Sequence, residues 1–314
     1  MASLIRESAT TEAGPADATV RDIRSSMTAE EIAGRSLWSD ARRRFLQNHA
    51  AIVSLVVLIV IAVLCFGAPY LGLRDQDDVN YDMMPAAPPD LAAGYLFGSD
   101  ANGRDLFVRT LYGGQVSLTV GAVATLVSLL IGVTWGATAG FIGGRIDGGM
   151  MRIVDILYSI PFIFFVILLT VVFGHDIILI YLAIGAVSWL DMARIVRGQT
   201  LSLKRKEFIE AAHASGVSTF NIVRRHIIPN CLGPVVIYVT LTVPTVILTE
   251  SFLSFLGMGV QEPQSSWGTL ISEGARSMEV SPWGLLPGIV LALTLLCLNF
   301  VGDGMRDAFD PKDR

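Results

Sequence analysis

Residues 116–141 read VSLTVGAVATLVSLLIGVTWGATAGF, twenty-six consecutive residues without a charge. A bilayer's hydrocarbon core is about 30 Å thick and a helix rises about 1.5 Å per residue, so about 20 apolar residues cross it. The stretch is predicted to be a transmembrane helix. Within it Gly132, Gly136 and Gly140 recur every four residues, and Gly144 and Gly148 continue the register beyond it. That spacing makes one bare helix face where a neighbouring backbone can approach closely, which is how helices associate in lipid.

Five more apolar runs, 50–68, 153–173, 177–195, 234–256 and 285–301, have similar lengths. The expected fold is an all-α membrane protein with six transmembrane helices. Composition agrees: of 314 residues 52% are hydrophobic and 16% charged, against about 25% charged in soluble domains, and the mean hydropathy is +0.57. An ordinary soluble enzyme and a disordered chain are both excluded. The longest pieces outside the runs are residues 1–49, 69–115 and 196–233. A domain needs at least about 50 residues for its own core, so no separate catalytic domain fits here. The net charge of −5, without a long basic block, gives no reason to expect nucleic-acid binding.

The polar, mixed-charge first 36 residues lack the pattern of a cleaved signal peptide, so the first run is expected to remain as an anchor. Cys65, Cys231 and Cys297 are odd in number and far apart, which fits packing residues better than a disulfide framework or a metal site. Counting Arg194 at the edge of the fourth run, 19 of the 23 basic residues fall on one side of the predicted topology. The positive-inside rule then places both termini in the cytoplasm. Leu37, Trp38, Ala41 and Phe45 lie beside Arg42, Arg43 and Arg44, a pattern for a short interfacial helix or a plain topogenic basic cluster.

In the first outward loop, Asn102-Gly103 and the flanking Asp100 and Asp105 predict a tight turn with carboxylates bonded to nearby amides. The spacing of these acids does not match a calcium loop. Asp155 and Asp191 are placed near cytoplasmic helix ends, whereas Glu250 lies deeper, in the outer half of the fifth run. Acids inside a membrane usually face the bundle interior or water. Glu250 is a candidate pathway residue or a hydrogen-bonded interhelical acid. Pro234 and Pro244 invite kinks in the same run.

Residues 196–233 carry the most information about function. Residues 201–215 are predicted to form a helix with Phe208, Ala211, Ala212 and Ser215 on one face. Gly216 suits a left-handed turn, Ser218 a helix cap, and Phe220, Val223 and Ile227 the apolar stripe of a second helix that ends at Pro229. Such a hairpin of exposed small and apolar side chains suits a partner's groove.

Glu210-Ala211-Ala212, three residues, Gly216, nine residues and His226-Ile227-Ile228-Pro229 resemble the Glu-Ala-Ala loop of ABC importer membrane subunits. The general ending is Ile-x-Leu-Pro, from which His226 and Ile228 depart, but the ending here through Asn230 is similar to that of the peptide-transport branch. Phe97-Gly98-Ser99-Asp100 with Gly103-Arg104-Asp105, the stretch 250–257, Ser266-Trp267-Gly268 and the stretch 302–311 are similar to that branch as well. Gly34-Arg35-Ser36-Leu37-Trp38 and the stretch 188–198 point to the C-type membrane subunits of bacterial oligopeptide permeases, within the dipeptide, oligopeptide and nickel family.

The resemblance implies the type I ABC importer permease fold in the bacterial inner membrane. It implies a cytoplasmic segment 1–49, a first helix and periplasmic loop at 50–115, a core at 116–304 with a coupling loop at 198–230, and a tail at 305–314. Expected partners are a homologous second permease subunit, two cytoplasmic ATPases, a periplasmic oligopeptide-binding protein and membrane lipid. Glu210, Ala211, Ala212, Gly216 and Pro229 would couple to the ATPases. No cofactor or metal is expected on this chain, since ATP and Mg belong to the partners and no Gly-x4-Gly-Lys-Ser/Thr occurs. Dipeptides or nickel are alternative cargoes of the same architecture. A self-sufficient proton-coupled carrier would need inverted repeats, and none is evident.

Overall fold

The structure, a computed structural model, describes residues 37–81, 85–174 and 177–309. Expectations for residues 1–36 and for the last five residues of the tail lie outside these. The helices are α1 (Leu37–Gln47), α2 (His49–Gly67), α3 (Leu106–Ile142), α4 (Gly144–Ser159), α5 (Phe162–Phe173), α6 (Ile177–Leu203), α7 (Glu207–Ala214), α8 (Thr219–Ile222), α9 (Ile228–Phe255), α10 (Trp267–Arg276) and α11 (Leu286–Phe309). A π turn, Val223–Ile227, joins α8 to α9 without a break. Among the described residues β structure is confined to isolated bridges, such as Val79 with Arg104 and Ser99 with Asp105.

Among the described residues five helical segments are long and apolar enough to cross a membrane: α2, α3, α6, the continuous α8–α9 rod and α11. The run 153–173 is not one straight helix. It breaks at Ile160–Pro161, where α4 and α5 meet at 80°, so the count reaches six only if this bent pair is one span. Pro161 lacks an N–H and its ring disfavours helical backbone in the residue before it. Ile160 is accordingly extended, at φ −80° and ψ 120°.

Most helices also outrun their apolar runs. α3 begins at Leu106, where the Asp105 carboxylate accepts from the N–H groups of Phe107 (2.9 Å) and Val108 (3.2 Å). Continuous apolarity measures contact with lipid, whereas helix length is set by caps and packing.

The core contact is α3 against α6. A methyl group at Gly132 would sit 2.5 Å from Met192 Cβ, one at Gly136 would strike the Ala193 carbonyl oxygen, and one at Gly140 would lie 2.9 Å from the Arg197 carbonyl oxygen. The expected glycine register stops there. Gly143 and Gly144 take φ of +76° and +57° and turn the chain into α4; Gly148, on the new helix, has nothing within 4 Å. Asp147 still returns to α6, accepting from Arg197 Nε and Nη2 at 2.5 and 2.7 Å.

The two ends of the described chain meet at one face. Trp38 packs edge-on against Phe309 with centroids 5.2 Å apart, and Gly304 lets α11 approach Ala51 on α2. α1 therefore forms as a helix docked on the end of α11, through buried Ala41 and half-buried Phe45. All three cysteines are buried and unpaired, as packing residues.

Gly136→Ala is expected to lower the stability of the purified protein by about 1–3 kcal/mol, because backbone rather than a flexible side chain must yield. Gly148→Ala should be neutral or slightly stabilising. Thermal unfolding in one detergent checks both; equal melting temperatures would contradict the α3–α6 geometry.

Candidate functional site

The hairpin at 204–227 projects from the same face as the chain ends, with Gly233 facing Phe309 across it. It is not one helix over 201–215. α6 ends at Leu203, residues 204–206 turn, and α7 starts at Glu207. The Lys204 ammonium is drawn onto the Phe141 carbonyl at the end of α3, where a cation meets the negative pole of that helix.

Gly216 has φ +78° and completes a Schellman turn. Its N–H donates to the His213 carbonyl (3.0 Å) and that of Val217 to the Ala212 carbonyl (3.1 Å). Nothing lies within 4 Å of the Gly216 Cβ direction, so backbone conformation rather than space requires glycine. Ser218 takes the N-cap position of α8, though its side chain makes no capping bond.

Ile209, Ile222 and Ile227 are buried in one cluster with Val133, Phe141, Met192 and Val196, which fastens the hairpin to α3 and α6. Phe220 is not part of the inward stripe: it is 71% exposed, and Ile222 takes that place. The helix also does not stop at Pro229. The Ile228 N–H reaches back five residues to the Val223 carbonyl, and Pro229 sits in the first turn of α9, where its missing N–H costs little. Phe208, Glu210, Ala211, Ser215 and Gly216 remain exposed and Ala212 half-buried, so the hairpin offers a free apolar and small-residue surface.

At the opposite face the loop motifs close a cap. Asp100 accepts from the backbone N–H groups of Asn102 and Arg104 (both 2.9 Å), from Arg104 Nε (2.7 Å) and from Arg109 Nη1 (2.6 Å). Arg109 is 1% exposed and extends to both oxygens of Glu273 on α10 (2.6 and 3.2 Å). The turn expected around Asn102-Gly103 is present, with Gly103 at φ +81°. Burial pushes the Asp105 carboxyl above its ordinary range, against the Val108 and Phe107 N–H groups and Arg74, which pull it down. Burial lowers the affinity of Arg104 for its proton, but bonds and charge from Asp100 and Glu262 outweigh this and hold it above the usual range.

Beneath the cap lies Glu250, fully buried. Its carboxylate accepts from Ser117 Oγ on α3 (2.8 Å) and Ser254 Oγ (2.7 Å). Ser117 Oγ in turn accepts the Trp267 N–H at 3.3 Å, and Trp267 Nε1 donates to the Thr110 carbonyl at 3.0 Å. Ser266 and Thr269 form a capping box at the start of α10. The Ser266-Trp267-Gly268 and 250–257 motifs thus meet in one knot, with Gly268 allowing α10 onto the Ser251 backbone.

Of the other acids, Asp155 pairs with Arg194 at 2.9 Å. Asp191 is not near a helix end. It is the fifteenth of the 27 residues of α6, because that helix runs eight residues past its apolar run. Sequence reasoning missed Arg109, whose only signal is a lone cation in a first helical turn. It also missed the polar row Thr242, Thr245 and Thr249, legible as i, i+3 and i+7 on one face of α9.

The fold and the exposed hairpin define a multi-pass membrane protein. Residues 132–314 match the family described as "Binding-protein-dependent transport system inner membrane component", and residues 36–89 match "N-terminal TM domain of oligopeptide transport permease C". The chain belongs to this family of inner-membrane permeases. It is 60% identical over 285 residues to the oligopeptide transport system permease protein OppC of Escherichia coli K12, covering 90% of this chain and 94% of that one. It is 43% identical over 289 residues to OppC of Bacillus subtilis, covering 91% and 94%. It is 41% identical over 284 residues to the dipeptide transport permease DppC of the same organism, covering 89% and 87%. A structure of the MetNI methionine ABC transporter in an inward-facing conformation shares the fold. Its TM-score is 0.52 at 22% identity, over 65% of this chain and 96% of that one.

Arg109→Met should destabilise the protein by about 1–3 kcal/mol, since Asp100 and Glu273 lose a buried charged donor and keep Arg104 as their remaining cation. Melting of the purified variant checks this. A loss below 1 kcal/mol would show that the cap does not depend on this bridge.

Proposed function

We propose that this chain is the membrane-spanning permease subunit of an ATP-binding cassette importer that carries oligopeptides across the bacterial inner membrane. The identity to oligopeptide permeases across nine tenths of the chain carries this reading. The hairpin face is assigned to the cytoplasm. Arg42, Arg43, Arg44, Lys204, Arg205, Lys206, Arg224 and Arg225 lie in or beside the elements of that face, as the positive-inside rule requires. Two ATPases supply the driving force, one engaging this hairpin and the other its counterpart on a homologous second permease. A periplasmic binding protein delivers peptide to the capped face. ATP and Mg are bound by the ATPases, and this chain performs no chemistry of its own.

In this reading α7 is the contact element. Phe208 is 44% exposed and serves as the anchor in the ATPase groove, Ala211 and Ala212 allow close approach, and Glu210 offers a carboxylate to a cation or backbone amides of the partner. Ile209, Ile222 and Ile227 then pass displacement of the hairpin to α3 and α6, because a packed core moves as a unit rather than deforming continuously. Gly216 holds the turn that aims α7, and Pro229 starts the helix that follows.

Expressed with the second permease, the ATPases and the binding protein, the chain should support ATP-dependent uptake of oligopeptides. Uptake of nickel or dipeptides alone would reassign the cargo, and uptake by the isolated chain would refute the division of labour. Gly216→Val strains the left-handed turn by ~1 kcal/mol or more and should lower peptide uptake while ATP hydrolysis and membrane insertion persist. Gly216→Asn, which tolerates that backbone, should retain most uptake. Normal transport by Gly216→Val would remove the turn from the mechanism.

A further inference from the structure

Between α5, α6 and α9 lies a cavity of ≈ 340 Å³ whose polar lining is Ser188, Asp191, Tyr238, Thr242, Thr245 and Thr249. This volume is within the range of small-ligand pockets. The hydroxyl groups share one arrangement. Ser188 donates to the Ile184 carbonyl (2.8 Å), Thr242 to that of Tyr238 (2.8 Å), Thr245 to that of Leu241 (3.1 Å) and Thr249 to that of Thr245 (2.7 Å). Each hydroxyl hydrogen is committed to its own helix, and only oxygen lone pairs remain for the cavity.

Asp191 adds a carboxylate, which when ionised accepts and cannot donate. Nearby acids are neutralised, Asp155 by Arg194 and Asp147 by Arg197. Among the described residues no hydrogen bond or ion pair engages the Asp191 carboxylate. Among the described residues no Lys, Arg or His lines the cavity. An unpaired carboxylate inside a membrane span is costly and marks a water-filled cavity or a ligand path. A ring of acceptors around it is complementary to a cationic donor.

We propose that this cavity is a translocation subsite for the α-ammonium group of the transiting peptide. Asp191 is the ion-pairing residue, and the hydroxyl oxygens of Ser188, Thr242 and Thr245 accept the remaining hydrogens. An ammonium carries three donors and no acceptor, the converse of this lining. Glu250 cannot play the part, since it is buried and held by serines. The inference rests on the reading of the chain as a peptide permease. The competing occupant is a basic side chain of the second permease subunit.

The test uses the complete transporter in vesicles, with binding protein and tri-alanine, a peptide whose only cation is its α-ammonium. Asp191→Asn is expected to lower initial uptake about tenfold or more, the scale of losing a charge-assisted bond, with all subunits still recovered together. Asp191→Glu should restore most of it. In a separate arm, Thr245→Cys should react with a cationic thiol reagent, and saturating tri-alanine should slow that reaction. Undiminished uptake by Asp191→Asn overturns the subsite, as does Thr245→Cys labelling that is absent or indifferent to peptide. Loss of the second permease from the Asp191→Asn complex overturns it in favour of a subunit ion pair. A defect confined to tri-lysine overturns the α-ammonium assignment. No peptide uptake by the unmodified transporter removes the importer reading itself, and the subsite with it.

Discussion

Everything in this molecule is arranged around the approach of two backbones, α3 and α6, along Gly132, Gly136 and Gly140. Lipid offers helices no hydrophobic reason to associate, so the contact depends on shape and on groups that reach across. Met192, Ala193 and Arg197 fill the glycine face, and Arg197 then turns outward to Asp147. The hairpin is fastened to this pair through Ile209, Ile222 and Ile227. Were α3 and α6 to separate by the width of a methyl group, the hairpin would lose its base.

The opposite face adds different physics. There, buried charge is added to close backbone contacts such as that of Gly268 with Ser251: Asp100, Arg104, Arg109 and Glu273 form one network, and the Glu250 carboxylate is enclosed by serine hydroxyls. Such networks are favourable only when every member is satisfied, and among the described residues Ser265 Oγ is the one buried side-chain polar atom of this region left without a partner. Both ends use close packing, and the capped end adds a buried network of directed polar bonds.

The membrane class, five of the helices, the α3 glycine face and the turn at Gly216 were legible because each depends on residues close in sequence. What was not legible depends on distance or on boundaries. Pro161 sat inside an apolar run, and hydropathy alone does not register a missing N–H. Gly144 and Gly148 kept the register of the stripe after the helix carrying it had ended. Asp191 looked peripheral because apolarity faded four residues later, while hydrogen bonding carried α6 on to Leu203. The exposure of Phe220 and burial of Ile222 followed from where the π turn rotated the chain. Arg109 had no local pattern at all, since its partners lie 9 and 164 residues away.

The π turn has one more consequence. Because it bridges α8 and α9 without a break, residues 219–255 form one rod of 37 residues, about 55 Å long at 1.5 Å per residue. One end belongs to the hairpin and the other carries Glu250 and Ser254 beneath the cap. Two sites biasing one rigid element are thermodynamically linked, and linkage is reciprocal. Whatever factor an event at the hairpin imposes on binding at the capped face, binding at the capped face imposes the same factor on the hairpin. A receptor outside and a motor inside would then sense each other's occupancy through a single helix.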